Sequence, residues 1–301
     1  MKQNPALSFF ISILLLLGIL NSQAFSQETI EEKLVRIEAK LDSIINLLNS
    51  KIKTGIFYET ITDTMNLRYG ITSPQGTILD KEYFIINHND DWKIPYWVAY
   101  YLSSSNLQGN TERTDDFRPD PELKINYRSE LRDYQNSGYD RGHNAPAAAF
   151  KRSIEAMSTT FLLSNMSPQT PKLNRQMWKK LEIQIRDFAM QESQSWIITG
   201  NIFMNPDSIF ICPREFIGLN QARNVAVPTH CFKAILSRDT LGNYSMYAFL
   251  LPNQKEAITG TPSDYQISIE KLEEITGYDF FPILDDNIEI PLESSKNAWP
   301  Q

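Results

Sequence analysis

The chain has 301 residues, of which 42% are hydrophobic and 22% are charged. This composition is typical of a globular protein, and no stretch after residue 26 approaches the ~20 consecutive apolar residues of a membrane-spanning helix. A net charge of −7 argues against general binding of polyanions, but the charge is unevenly spread. Lys151 to Arg186 carries seven basic and two acidic residues, whereas Leu251 to Gln301 carries three and ten. The basic stretch either contacts an anionic partner or solvates a helix.

Residues 1 to 26 predict a signal peptide. Lys2 precedes a nearly continuous apolar run from Ala6 to Leu20, and Ala24 and Ser26 are small residues that suit cleavage after either position. The run is short for a membrane span, and an uncleaved signal anchor is the alternative. We therefore expect a secreted or periplasmic protein with no stable membrane span.

A heptad pattern follows, over residues 27 to 51. Apolar residues recur there at alternating spacings of four and three, at Ile30, Leu34, Ile37, Leu41, Ile44 and Leu48. This spacing predicts a helix with one apolar stripe. Two interpretations stay open: a short coiled coil that forms a homo-oligomer through residues 28 to 51, or a helix that packs on its own domain.

Residues 52 to 301 predict one α+β domain with an extended sheet and few helices. Apolar runs predict strands at 84–86, 97–102, 161–163, 196–200, 224–227, 232–236 and 244–251. Thr170 and Pro171 should begin a helix that reaches about Gln191, because threonine is a good N-cap and proline is tolerated at the first helical position. A short final helix is expected over residues 269 to 275.

The two cysteines, Cys212 and Cys231, both follow the predicted signal peptide. In an exported protein such a pair suggests one disulfide. Two buried free thiols are the alternative.

The three histidines are His88, His143 and His230. His143 ends an Asp-Arg-Gly-His run at residues 140 to 143, which combines an acid, a cation, a flexible glycine and a titratable base. Imidazole is the natural base at neutral pH, and an arginine suits the charge that develops on a phosphate. A polar surface turn is the alternative for this run by itself. His88, in a polar turn, and His230, at a strand edge, are expected to be structural.

A second polar motif lies about thirty residues further on. Asn165 begins Asn-Met-Ser-Pro-Gln after a predicted strand, and Asn174 and Glu182 lie at the start of the predicted helix. With the Asp-Arg-Gly-His run, this ordered set resembles the DNA/RNA non-specific endonuclease family, the sugar-non-specific ββα-metal nucleases. The resemblance covers about residues 80 to 285. It implies a ββα-metal (His-Me finger) fold with a central antiparallel sheet. It also implies a hydrolase that cuts DNA and RNA with little sequence preference and leaves 5′-phosphate ends.

The resemblance also implies roles for the motif residues in catalysis. His143 is similar to the general base that activates water, and Arg141 to the cation that stabilises the phosphate. The family has a further phosphate-contacting arginine upstream, for which Arg113 and Arg128 are both candidates.

A metal site is implied by the same resemblance. Asn174 is similar to the direct protein ligand of a hydrated Mg²⁺, with Mn²⁺ as the alternative ion, and Glu182 to the carboxylate that acts through a metal-bound water. Asp140 and Asn165 match positions that orient the loop and strand. Eight residues of regular helix rise ~12 Å and rotate by roughly 80°, so Asn174 and Glu182 cannot both contact one ion directly in such a helix. Either Glu182 acts through water or the chain bends at Asn174.

Two other classes of function remain as alternatives to the nuclease. One is a catalytically inactive nucleic-acid-binding module on the same fold, which would have no need of a base such as His143. The other is an interaction protein whose working part is the heptad segment.

Overall fold

The computed structural model describes residues 33, 34, 37, 58 to 61, 63, 65 to 192, 194 to 204, 213 to 218 and 224 to 300. The chain divides into two compact units, Met1–Lys53 and Thr54–Gln301. In the first unit Lys33, Leu34 and Ile37 are helical and exposed. The predicted signal peptide and most of the heptad pattern lie outside the described residues. No helix within the described residues is long and apolar enough to cross a membrane.

The second unit is built mainly from strands. In chain order they are β1 (Tyr58–Ile61), β2 (Ile71–Pro74), β3 (Thr77–Asp80), β4 (Ile85–Asn89), β5 (Ile94–Leu102), β6 (Asp140–His143), β7 (Met166–Gln169), β8 (Gln194–Ile202), β9 (Glu215–Ile217), β10 (Val225–Val227), β11 (His230–Arg238), β12 (Tyr244–Pro252), β13 (Gln266–Ile267) and β14 (Asp279–Phe280).

Helices are fewer and mostly short. The α-helices are α1 (Leu131–Tyr134), α2 (Ile154–Thr159), α3 (Lys179–Gln191), α4 (Ile269–Thr276) and α5 (Asp286–Ser294). A π-helical segment, Leu173–Trp178, leads directly into α3. Single 3₁₀ turns occur at Ala147–Ala149, Leu163–Asn165 and Pro262–Tyr265.

The largest sheet has seven antiparallel strands in the order β13-β12-β11-β8-β5-β4-β3. Successive side chains of a strand point to opposite faces, so each central strand contributes to two cores. On one face Ile235 belongs to the same apolar cluster as Leu181 and Ile185 of α3. On the other face Ala234 clusters with Leu272 of α4. The predicted α+β class, with an antiparallel sheet and few helices, is confirmed.

A ββα unit lies beside this sheet. Strands β6 and β7 form an antiparallel pair, with Asp140 opposite Gln169 and His143 opposite Met166. The π-helical segment and α3 then follow β7 in the chain. This arrangement brings the three sequence motifs, which are up to 42 residues apart at Asp140 and Glu182, into one region.

Three local predictions from the sequence are wrong. Residues 161 to 163 form a turn and the start of a 3₁₀ turn instead of a strand. His88 lies in β4 and is fully buried, because the strand continues through the polar residues as far as Asn89. The helix predicted over residues 269 to 275 is not the final one, because α5 follows it and contains Pro291, a residue that disfavours a helix in a sequence pattern.

The predicted disulfide also needs correction. Cys231 is a free, buried thiol, with its Sγ 3.5 Å from Gln169 Nε2 and 3.8 Å from Asn201 Oδ1. Cys212 lies outside the described residues. The alternative reading of Cys231, as a buried free thiol, is the one that its surroundings support.

Candidate active site

Gly142 allows the two strands of the ββα unit to approach closely. A Cβ on this residue would lie 2.3 Å from both Cδ and Oε1 of Gln169, and this distance is much shorter than a van der Waals contact. Gln169 is itself fully buried. Close packing against Gln169 therefore favours a glycine at residue 142.

His143 ends β6 in an aromatic pocket. The residue is 8% exposed, and its ring makes edge contacts with Phe117 and Phe161, at centroid distances of 5.7 and 5.0 Å. The backbone carbonyl accepts a hydrogen bond from Trp178 Nε1 at 3.2 Å. Within the described residues Nε2 has no hydrogen-bond partner. The side chain is thus held by packing while one ring nitrogen keeps its hydrogen-bonding capacity.

Two guanidinium groups flank the same aromatic pocket. Arg141 lies 4.0 Å from the centroid of Phe117, and Arg113 lies 4.7 Å from that of Phe161. Burial, with the charges of Arg113 and Arg141 as the smaller contributions, lowers the pKa of His143 to about 3. The imidazole is consequently neutral at physiological pH, as a general base must be.

The alternative upstream arginine has a different environment. Arg128 Nε donates to Glu130 at 2.9 Å, and its Nη1 lies 3.5 Å from the carbonyl oxygens of Asp120 and Leu123. These bonds hold Arg128 in its own loop. Of the two candidates, it is Arg113 whose charge acts on His143.

Asp140 links the start of β6 to the π-helical segment. Its Oδ2 accepts hydrogen bonds from Asn174 Nδ2 at 3.0 Å and Arg175 Nε at 2.8 Å, and its Oδ1 accepts one from Arg175 Nη2 at 2.7 Å. Burial alone would raise the pKa of Asp140, but these donors outweigh it and lower the pKa. Because the amide nitrogen of Asn174 donates to this carboxylate, Oδ1 is the side-chain atom of Asn174 that remains for binding a cation.

Glu182 lies one helical segment further on. Its Oε1 is buried and has no hydrogen-bond partner in the described part of the chain. Burial raises the pKa of this carboxyl, and the charges of Lys233, Arg186 and Arg113 oppose the rise. An orphaned carboxylate oxygen and an oriented amide oxygen are both hard donors of the kind that hydrated Mg²⁺ or Mn²⁺ takes. These residues therefore fit a divalent cation.

Lys233 is a buried cation of this region that the sequence analysis did not single out. Its side chain is fully buried, donates to Thr199 Oγ1 at 2.8 Å and lies 4.5 Å from the ring of Trp178. Burial lowers its pKa to about 8, against the opposing charge of Glu182. A lysine inside the apolar strand sequence of β11 was the signal that could have identified it. Phe117, Phe161 and Arg186 gave no comparable signal.

The chain at Asn174 departs from a regular helix. Leu173–Trp178 is π-helical, with hydrogen bonds to the fifth residue along, whereas Glu182 lies in the α-helical part. Such underwound turns are rare and frequently occur at functional sites. The distance and rotation expected between Asn174 and Glu182 in a regular helix therefore do not apply strictly here. The π-helical segment is hydrogen-bonded to Asp140 through Asn174 and to the backbone of His143 through Trp178.

The remaining motif residues are structural in their contacts. Asn165 is fully buried. Its Oδ1 accepts a hydrogen bond from the backbone nitrogen of Ala145, and its Nδ2 donates to the carbonyl oxygens of Ala145 and Thr160. It thereby ties the 3₁₀ turn before β7 to the loop after β6. His230 is partly buried and contacts Thr229 at 3.1 Å, and burial lowers its pKa.

Comparison with known proteins identifies this arrangement. The family model described as DNA/RNA non-specific endonuclease matches residues 63–287. The chain belongs to the DNA/RNA non-specific endonuclease family. A nuclease of Syncephalastrum racemosum is 33% identical over 258 residues, which is 82% of this chain and 80% of that protein. The mitochondrial nuclease of Saccharomyces cerevisiae is 34% identical over 241 residues, 76% of this chain and 72% of that protein.

A solved structure of the EndoG/EndoGI complex has the same fold. It matches with a TM-score of 0.68 and 28% sequence identity, over 74% of this chain and 92% of that chain. The ββα-metal nuclease fold expected from the resemblance is thus confirmed, and the protein is an endonuclease, a hydrolase. Neither the inactive binding module nor the coiled-coil interaction protein is favoured by these relatives.

The expected location of this endonuclease is contradicted by the relatives. The yeast protein and the EXOG nucleases of human, zebrafish and mouse, which are 32 to 34% identical to this chain, are mitochondrial nucleases. The prediction of a secreted or periplasmic protein, which rested on the N-terminal apolar run, is therefore wrong.

Proposed function

We propose that this endonuclease hydrolyses phosphodiester bonds of both DNA and RNA with His143 as the general base. The supporting observation is that two guanidinium groups, of Arg113 and Arg141, flank a buried imidazole that is neutral at physiological pH. A neutral imidazole can take a proton, and the two guanidinium groups can bind the phosphate beside it. Backbone contacts of this kind carry no sequence information, which agrees with non-specific cleavage.

The proposed reaction begins when His143 takes a proton from a water molecule as its oxygen attacks the phosphorus. Arg141 and Arg113 stabilise the negative charge that develops on the phosphate oxygens. The bond from phosphorus to the 3′ oxygen breaks, and that oxygen is protonated by water. The products are a 3′-hydroxyl and a 5′-phosphate.

Mg²⁺, or Mn²⁺ in its place, is proposed as the cofactor. Asn174 would hold the ion directly through Oδ1, and Glu182 would hold it through a water molecule. When bound, such an ion polarises a phosphate oxygen and lowers the pKa of its own waters. Asp140 would keep Asn174 in the orientation that presents Oδ1, by accepting the hydrogen bond from Nδ2.

A cleavage assay with a metal titration tests this proposal. Purified protein is incubated with circular plasmid DNA and with total RNA, in chelator and at increasing Mg²⁺ or Mn²⁺. We expect no cleavage in chelator, cleavage of both substrates with metal, and ligatable 5′-phosphate ends. Full activity in chelator would contradict the metal site, and 3′-phosphate products would contradict the proposed direction of bond breaking.

A further inference from the structure

Lys233 is a buried charge that the proposed reaction does not use. It lies within β11, directly opposite Thr199 of β8, and its side chain is fully buried. An ammonium group is costly to remove from water, and lysine is almost never fully buried unless it is paired. A lysine at this position therefore needs a compensating charge.

The hydrogen bonds of Lys233 do not supply that charge. Nζ donates to Thr199 Oγ1 at 2.8 Å and to the hydroxyl of Tyr100 at 3.4 Å, and both acceptors are neutral. Among the residues that the structure describes, Lys233 forms no ion pair within 4.0 Å. The hydroxyl groups hold the ammonium group in place, but its counter-charge lies elsewhere.

Trp178 places Lys233 beside the helix that carries Glu182. Nζ of Lys233 lies 4.5 Å from the centre of the Trp178 ring. Trp178 precedes Glu182 by four residues at the start of α3, and residues four apart lie on the same face of a helix. Lys233 therefore contacts the helix face on which Glu182 lies.

Lys233 and Glu182 each provide the main counter-charge of the other. Burial raises the pKa of Glu182, and among the charges that oppose this rise that of Lys233 is the largest. Burial lowers the pKa of Lys233, and Glu182 provides the largest opposing charge there. Glu182 Oε1 is also buried and has no hydrogen-bond partner among the described residues. Each group thus offsets part of the desolvation cost of the other.

We propose that Lys233 is a positioning residue of the nuclease site, whose charge holds the Glu182 carboxylate inside the protein as the acceptor for a water of the bound cation. The inference rests on the proposed function, because it takes Glu182 as part of the metal site. Lys233 acts through Glu182 and does not itself bind substrate. Its own position is fixed by Thr199 and by the ring of Trp178.

A double-mutant cycle in chelator measures the pairing without metal or cleavage. Melting curves are compared for wild type, Lys233→Met, Glu182→Gln and the double variant, in which both side chains keep their approximate length. We expect Lys233→Met to lower Tm, because it leaves Glu182 as a buried charge without compensation. The double variant should melt at a higher temperature than Lys233→Met. Additive changes in Tm would overturn the proposal, since independent residues do not couple.

The affinity for Mn²⁺, followed by electron paramagnetic resonance, tests the positioning role. Lys233→Met should raise Kd about tenfold, as loss of an outer partner of a metal ligand does. In the Glu182→Gln background the same substitution should change Kd by less than about twofold, the usual limit of additivity. Direct repulsion between Lys233 and the ion acts in the opposite direction. Tighter Mn²⁺ binding by Lys233→Met would therefore overturn the proposal, as would an equal change in both backgrounds.

Thr199→Val is the matched control. It removes the acceptor of the 2.8 Å hydrogen bond but keeps the charge of Lys233. It should lower Tm and leave the Kd for Mn²⁺ unchanged. An equal loss of Mn²⁺ affinity in Thr199→Val and Lys233→Met would assign the effect to packing and contradict the positioning role.

Folding of the variants is informative in itself. If Lys233→Met did not fold but the double variant did, the pairing would be supported. If neither folded, Lys233 would serve the fold independently of Glu182 and the proposal would be wrong.

The proposed function fails in a distinguishable way. If the cycle showed coupling and Mn²⁺ affinity depended on Lys233, but wild type did not cleave DNA or RNA with metal, the role of Lys233 would stand and the proposed reaction would not. If wild type cleaved both substrates while Kd was the same in Lys233→Met, only the role of Lys233 would be wrong.

Discussion

The carboxylate of Asp140 accepts a hydrogen bond from the side-chain amide of Asn174 at 3.0 Å, across the 34 residues that separate them in the chain. The same carboxylate binds Arg175 through both oxygens. The hydrogen bond from Asn174 Nδ2 leaves Oδ1 as the atom of this side chain that can bind a cation. It makes Asp140 a positioning residue for the proposed metal site, and its effect can be measured apart from catalysis.

Asp140→Ala should weaken metal binding. Without the carboxylate the amide of Asn174 can rotate, and loss of such an outer partner typically costs 10- to 100-fold in metal affinity. Titration with Mn²⁺, followed by electron paramagnetic resonance, gives the affinity directly. Arg175→Ala is the matched control, since it removes the exposed partner but leaves the Asp140–Asn174 bond. Equal Mn²⁺ affinity in wild type and Asp140→Ala would show that Asp140 does not orient the ligand.

His143→Ala should reduce the cleavage rate by ~10²–10⁴-fold, the usual contribution of a general base. The loss should persist at every Mg²⁺ concentration, because Asn174 and Glu182 are unchanged, and added imidazole should restore part of the rate. Asn174→Ala should instead lose activity that high Mg²⁺ partly recovers. A folded His143→Ala protein that cleaves within tenfold of wild type would exclude His143 as the base.

The pH dependence of kcat/KM checks the same residue. Burial and two arginines lower the pKa of His143 to about 3, so the base stays unprotonated as the pH falls through 6.5. The rate constant kcat/KM reports the free enzyme. It should therefore show no acid limb near pH 6.5. A limb with an apparent pKa of 6.5 that disappears in His143→Ala would contradict the lowered pKa.

Arg113→Ala should reduce cleavage by about 10- to 100-fold, whereas Arg128→Ala should not. Arg113 lies over Phe161 beside His143, and loss of a charge-assisted contact to phosphate is on the order of 1.5–3 kcal/mol. Arg128 bonds Glu130 and two carbonyl groups of its own loop, so its removal should lower Tm instead. Cleavage rates and melting curves are measured for both variants. Equal losses of activity would contradict the proposal that Arg113, and not Arg128, binds the phosphate.

Gly142→Ala should destabilise the protein by about 1–3 kcal/mol, the cost of overpacking a filled site. The new Cβ would meet Gln169 at 2.3 Å. If this contact is the cause, the double variant Gly142→Ala/Gln169→Ala should be more stable than the sum of the two single effects. Urea denaturation of all four proteins measures the coupling, and strict additivity would place the strain elsewhere.

Cys231 should resist alkylation in the native protein. Burial raises the pKa of its thiol to about 12, and its surface is 1% exposed. Iodoacetamide at pH 8 should leave the Cys231 peptide unmodified in native protein and modify it fully in guanidinium without reductant, as peptide mass mapping would show. Failure to modify unfolded, unreduced protein would indicate that the thiol is bonded after all.

Much of the domain was predictable because its patterns are local. Apolar runs at residues 97–102, 196–200 and 244–251 match β5, β8 and β12, since a strand buried on both faces needs a continuous apolar sequence. The order of the Asp-Arg-Gly-His run, Asn174 and Glu182 was sufficient to indicate the family. Local patterns failed where polar residues are buried, as at His88. A hydrophobicity pattern does not show that this side chain is buried in a strand and hydrogen-bonded to Asp90.

The sequence by itself therefore determined the class of fold and the family, and it indicated the residues that we propose carry the chemistry. The tertiary structure places Arg113 against Phe161 beside His143, packs Gly142 against Gln169, and buries Lys233 beside Trp178. The physical reason is that a side chain's charge acts through distances of a few ångströms, and such distances join residues that lie tens of positions apart in the chain. Spacing along the sequence does not specify these distances. They are set by the pairing of β6 with β7 and by the π-helical turn at Asn174.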